Sequence, residues 1–119
     1  MHELSIAAAA VEICRTESDG GRVVRVELEV GRLRQVVPDA LAFAFELVAQ
    51  GTPVDGAELV IHEVPVRVAC ADCTVEAEVS AFPLACARCG SLAVEVVAGE
   101  ELRVEALEIE HESVAVVRR

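Results

Sequence analysis

Residues 22–30 read Arg-Val-Val-Arg-Val-Glu-Leu-Glu-Val, with Val24, Val26, Leu28 and Val30 alternating against Arg25, Glu27 and Glu29. An apolar side chain at every second position turns one face of an extended chain toward a core and the other toward water. The stretch is therefore predicted to be a half-buried β-strand. Just upstream the period differs: Leu4, Ala7, Ala8, Val11 and Cys14 recur at helical spacing in an alanine-rich segment, and Asp19-Gly20-Gly21 supplies the stop. The change of period across that turn marks a chain that mixes helix and sheet.

Downstream, residues 38–50 fit a second helix. Pro38 suits the first turn, Asp39 suits the helix dipole, Leu41, Phe45 and Val48 share a face, and Gly51 is the expected stop. Pro53 and Asp55-Gly56 mark a turn, and residues 57–64 and 102–109 read as two further strands. Between those strands lies an insert, residues 66–97, which holds four of the five cysteines and short apolar runs at 75–79 and 92–97. Residues 112–119 carry no strong signal.

The composition narrows the function. The chain has 119 residues, enough for one core with a small appended module. Its hydrophobic residues are mainly Ala and Val, with three Phe and no Trp or Tyr, so the core must be aliphatic. Scarce aromatics also weigh against base stacking. The formal net charge is −11, and all ten basic residues are Arg. Such a surface repels phosphate backbones, whereas nucleic-acid modules normally present a basic face. No apolar run approaches the roughly 18 residues that would span a bilayer. The apolar residues 6–11 lie between Glu3 and Glu12 with no basic segment before them, unlike a signal peptide, so a mature cytoplasmic N-terminus is expected.

The insert carries the strongest motif: Cys70-Ala71-Asp72-Cys73, then twelve residues, then Cys86-Ala87-Arg88-Cys89-Gly90. Two short chelating loops at this separation can place four thiolates around one zinc ion at about 2.3 Å. Gly90 permits the left-handed turn of a zinc knuckle at no steric cost, whereas the corresponding residue of the first loop is Thr74. Disulfides, inert core thiols and a rubredoxin-like iron site are the competing readings. A reducing compartment weighs against the first, and neither pair lies in the βαβ context of a thioredoxin-type motif. No His or Glu is interleaved as a catalytic ligand, so the site is expected to be closed and structural. Cys14 falls on the apolar face of the first helix and reads as a small core residue. The expected fold class is α+β, two helices on a three-stranded antiparallel sheet with an inserted zinc-ribbon-like β-hairpin module.

The chain opens Met1-His2-Glu3-Leu4-Ser5. With the initiator methionine retained before a side chain as large as histidine, the terminal amine and the His2 amide nitrogen close a five-membered chelate ring. The same amide and the imidazole Nδ1 close a six-membered one. Nitrogen donors in a planar array suit Ni(II) or Cu(II) better than zinc or calcium. A fourth donor could come from the Glu3 amide or carboxylate, from water, or from His62 or His111. On chemistry alone, a solvated N-terminal histidine is the commoner case.

Taken together, these residues resemble the HypA/HybF family of hydrogenase nickel-insertion proteins. The resemblance spans nearly the whole chain: Met1 to Ser5, the strand ending Glu29-Val30-Gly31, the helix with Leu41, Phe43, Phe45 and Glu46, the turn at Gly51 and both cysteine pairs. It implies that His2, with backbone nitrogens beside it and Glu3 adjacent, carries nickel as cargo, and that Cys70, Cys73, Cys86 and Cys89 hold a structural zinc. It further implies a nickel-binding α+β domain of residues 1–65 and 98–111, an inserted zinc-binding module of residues 66–97, and a tail from 112 to 119. The implied partners are a nickel-handling GTPase and the large subunit of a nickel-iron hydrogenase, with no nucleic acid and no membrane. A metallochaperone of this kind is not an enzyme, and the sequence shows neither a nucleophile paired with a base nor a phosphate loop. The alternative reading is a zinc-ribbon transcription or translation accessory protein, against which the acidic charge and scarce aromatics count.

Overall fold

The computed structural model describes residues 2–112 and 114–119. The chain orders as α1 (His2–Ser18), β1 (Val23–Gly31), a 3-10 turn (Arg32–Arg34), α2 (Pro38–Ala49), β2 (Glu58–Val64), β3 (Arg67–Cys70), β4 (Glu76–Glu78), β5 (Val94–Ala98), β6 (Leu102–Ile109) and β7 (Val114–Val116). Two compact units result. One comprises residues 1–29, 36–62 and 102–119, and the other residues 30–35 and 63–101.

The first unit holds both helices. Alanine dominates α1 and lets it lie close to its neighbours: Ala7, Ala10, Val11 and Cys14 are buried on one side, and the helix packs against α2 and β6. Past Ser18 the chain turns through Asp19 and Gly20 at φ 50° and 82°, as the Asp-Gly-Gly signal requires. On α2, Leu41 and Phe45 are buried as the spacing predicts, while Val48 is half-buried. Each such side chain removed from water contributes about 1.5–3 kcal/mol. The core is completed by Val23, Val26 and Leu28 of β1, Val54, and Val104, Leu107 and Ile109 of β6. It is aliphatic apart from Phe45.

The sheet of this unit runs β2-β1-β6-β7. The three strands expected from the sequence are joined by a fourth, β7, which lies in the stretch that carried no signal and pairs antiparallel with β6 through Ala106↔Val116, Leu107↔Ala115 and Glu108↔Val114. Between the core-facing positions, polar side chains pair across strands: Arg25 with Glu58 at 3.8 Å, Glu27 with His62 at 2.8 Å and Glu29 with Arg103 at 2.5 Å. The fold class is thus the expected α+β arrangement.

The second unit is a three-stranded antiparallel sheet, β4-β3-β5, carrying both cysteine loops. β3 is its centre, with Val68 and Cys70 buried. Residues 31–34 clasp residues 99–101 through the Gly31 N–H to the Glu101 carbonyl at 2.7 Å, the Leu33 N–H to the Gly99 carbonyl at 2.9 Å, and Arg34 Nε to the Glu100 carbonyl at 2.7 Å.

Candidate metal centres

Each cysteine loop is built by the same backbone hydrogen bonds. In the first, the Cys70 N–H donates to the Val75 carbonyl at 2.9 Å and the Thr74 N–H to the Cys70 carbonyl at 3.0 Å. In the second, the Cys86 N–H donates to the Ser91 carbonyl at 2.8 Å and the Gly90 N–H to the Cys86 carbonyl at 2.9 Å. Thr74 and Gly90 both take left-handed conformations, at φ 60° and 76°. The missing glycine therefore does not change the loop. Instead a β-branched residue occupies a conformation that it rarely adopts. Thr74→Gly should relieve roughly 1 kcal/mol of strain and tighten zinc retention about fivefold, read as a higher chelator concentration at half-removal.

A link that the sequence reading missed runs between the loops: Ser91 Oγ donates to Asp72 Oδ2, and the Ala93 N–H in turn donates to Ser91 Oγ at 3.0 Å. Only the placement of Asp72 within one cysteine pair and Ser91 just after the other hinted at it.

The four sulfurs converge. All lie within 4.8 Å of one another, with Cys70 and Cys89 at 3.7 Å and Cys73 and Cys86 at 3.4 Å. These separations are far beyond the roughly 2.05 Å of a disulfide. They match the edge of a tetrahedron of thiolates at about 2.3 Å from zinc, which is close to 3.8 Å. The backbone N–H groups of Cys89 and Arg88 favour the Cys86 thiolate and bring its pKa down to about 6. Val75 and Ser91 N–H groups favour the Cys73 and Cys89 thiolates likewise, but the Cys86 sulfur beside them and burial outweigh this and raise both thiols. Four sulfurs this close cannot all ionise without a cation between them, and the all-sulfur donor set suits tetrahedral zinc. The cluster is a structural zinc site. Cys14 is apart from it, fully buried in the helical unit, where burial pushes its thiol up to about 12.

The N-terminal candidates are arranged differently. His2 is the first residue of α1 and its imidazole is exposed, with Nε2 3.7 Å from Glu3 Oε2. The terminal amine belongs to Met1, outside the described residues. Amide groups in the first turn of a helix have no intrahelical acceptor, so the His2 and Glu3 nitrogens lie outside the helical ladder. Glu3 is buried, and its Oε2 accepts from the Val37 N–H at 3.2 Å. Val37 is the N-cap of α2 and offers no side-chain cap of its own, so a carboxylate from α1 serves the positive end of α2. Sequence periodicity gave no sign of this, because the partner lies 34 residues away.

His62 is held by Glu27 on the sheet, and His111 lies beside Glu110 at 3.2 Å. Among the described residues, the four cysteines are the only group of three or more His, Cys, Asp or Glu side chains whose ligand atoms come together. Neither histidine is brought to His2 with a further side-chain donor.

A family model described as hydrogenase/urease nickel incorporation, metallochaperone, HypA matches residues 1–109. Hydrogenase maturation factor HypA of Geotalea uraniireducens and that of Geobacter metallireducens are each 47% identical over 110 residues, covering 92% of this chain and all of theirs. The solution structure of the Ni metallochaperone HypA from Helicobacter pylori superposes with a TM-score of 0.67 at 26% identity, covering 94% of this chain and 100% of that one.

Proposed function

The chain belongs to the HypA family of nickel-incorporation metallochaperones, and on that premise we propose that it binds Ni(II) at its own N-terminus and delivers it for the maturation of a nickel-iron hydrogenase. The observation that carries this reading is the exposed imidazole of His2 at the first position of α1, beside amide nitrogens that no helical hydrogen bond claims. Imidazole and amide nitrogens form a donor set of the kind Ni(II) takes in planar geometry. Glu3 contributes through its backbone nitrogen, since its carboxylate is engaged at the start of α2.

The labour is divided between the two units, with cargo at the helical one and zinc holding the cysteine loops. The protein has no chemical turnover of its own, and a nickel-handling GTPase supplies the energy of nucleotide hydrolysis before the metal reaches the hydrogenase large subunit. These steps take place in the cytoplasm. Among the described residues no helix is long and apolar enough to cross a membrane.

Titrating nickel into the wild-type chain, an N-terminally extended chain and His2→Ala tests the site. The extension displaces the amine from the chelate and the substitution removes the imidazole, so both should lose nickel binding while keeping their zinc. Equal affinity in all three would overturn the proposal.

A further inference from the structure

The sheet of the helical unit has a long edge that no strand covers among the described residues, because β2 stands first in the order β2-β1-β6-β7. At seven residues it is more than twice as long as β7 at the other edge, and it contains no proline. An edge left open in this way presents a row of backbone donors and acceptors to an extended segment arriving beside it. Glu58 and His62 pair with Arg25 and Glu27 on the outer face of the sheet. Leu59 and Ile61 therefore turn toward the helices, where they are half-buried.

Between α2 and the start of β2 lies a cleft of about 450 Å³. Its apolar lining is Ala42, Phe45 and Ala49 of α2 with Val54, Ala57 and Leu59, and the space is there because three of these six side chains are single methyl groups. Glu46 and Asp55 line the same cleft. Among the described residues neither carboxylate has a basic partner: Asp55 Oδ2 accepts from the Gly51 N–H at 3.3 Å, and Glu46 is exposed on α2.

A strand laid beside β2 would turn every second side chain to the helix side, where this cleft lies. One large apolar side chain suits the cleft, and basic side chains two positions to either side, about 7 Å along the strand, suit its two carboxylates. A second copy of this edge is a poor occupant, since it would bring its own Glu58 and Glu63 and a net charge of −11. We infer that the β2 edge takes an extended basic segment of another protein by strand addition, with an apolar side chain seated between α2 and β2 and the flanking cations on Glu46 and Asp55. Backbone pairing supplies the affinity, while the cleft and the carboxylates select the sequence.

The full zinc-loaded chain tests this with an end-blocked synthetic peptide, Thr-Arg-Val-Leu-Val-Arg-Thr, whose arginines and leucine share one face. It should bind saturably, and Glu46→Arg, at an exposed position, should weaken it about tenfold. Exchanging the peptide's arginines for glutamate should weaken binding to the wild type and recover part of the loss against Glu46→Arg. Ala42→Phe fills the cleft from another exposed position and should weaken the leucine peptide more than one with alanine in its place. Methylating the amide nitrogens of the odd residues, and separately those of the even ones, should abolish binding in one case and spare it in the other, since only one set turns to β2. No binding at millimolar peptide, or binding indifferent to Glu46→Arg or to the methylated set, would overturn the inference. So would an edge filled by a second copy, seen as an affinity that falls as the protein concentration rises.

Discussion

Cys70→Ser and Cys86→Ser are each expected to unfold the cysteine-bearing unit while leaving the helical one intact. The reason lies in how little else holds that unit together. β3, β4 and β5 are four, three and five residues long, and the buried apolar residues of the unit are Val30, Val66, Val68, Cys70 and Cys86. Two of these five are the ligands themselves. A core so small cannot offset the entropy of ordering its loops, so the metal must supply the difference. Structural zinc contributes about 10–16 kcal/mol in peptides of comparable size, which exceeds anything the remaining side chains provide. Amide exchange should accelerate to near the unprotected rate across 67–70 and 94–98. The helical circular dichroism from 2–18 and 38–49 should persist. A chelator acting on the wild type should reproduce the pattern. Retained protection in the zinc-free insert would show that its packing suffices.

Gly31→Ala should be the most damaging single methyl group in the chain. Its conformation, φ −71° and ψ 142°, is open to any residue, so the objection is space alone. A Cβ at this position would lie 2.1 Å from the Gly99 carbonyl oxygen, 2.2 Å from its carbon and 2.6 Å from the Glu100 nitrogen. All three are backbone atoms, and no side chain can rotate away. The methyl must instead part residues 31–34 from 99–101 and break the bonds from Gly31 to Glu101 and from Leu33 to Gly99. We expect a loss of about 3 kcal/mol or more, visible as a lower denaturant midpoint and a Tm roughly 10 °C or more below wild type. Gly51→Ala is the contrast. There φ is +76° but nothing lies within 4 Å of the new carbon, so only the conformational penalty of about 1 kcal/mol remains. Equal losses in the two variants would mean that crowding at Gly31 is relieved by a backbone shift.

What could be read from the sequence is what depends on local period. Residues 22–30 announce β1 by alternation, 102–109 announce β6 as a strand-length run with apolar residues, and 38–50 announces α2 by its proline, its spacing and its glycine. The four cysteines were legible because metal chelation requires spacing along the chain, and the structure brings those four sulfurs together. The features that escaped depend on distant partners. β7, read as Val-Ala-Val, has no alternation of its own and exists because β6 offers an edge. β3 is short and draws its stability from neighbours on both sides. The capping of α2 by Glu3 joins positions 34 apart, and the Asp72–Ser91 link joins positions 19 apart. No periodic signal encodes either.

The carboxylate of Glu3 also makes the start of α1 and the start of α2 parts of one balance. A cation that took the Oε2 atom of this carboxylate would draw it from the Val37 N–H, and loosening the first turn of α2 would release that atom. Thermodynamic reciprocity would make those two effects equal in size. The start of α2, 34 residues further along the chain, thereby fixes where a side chain of the first turn of α1 is held.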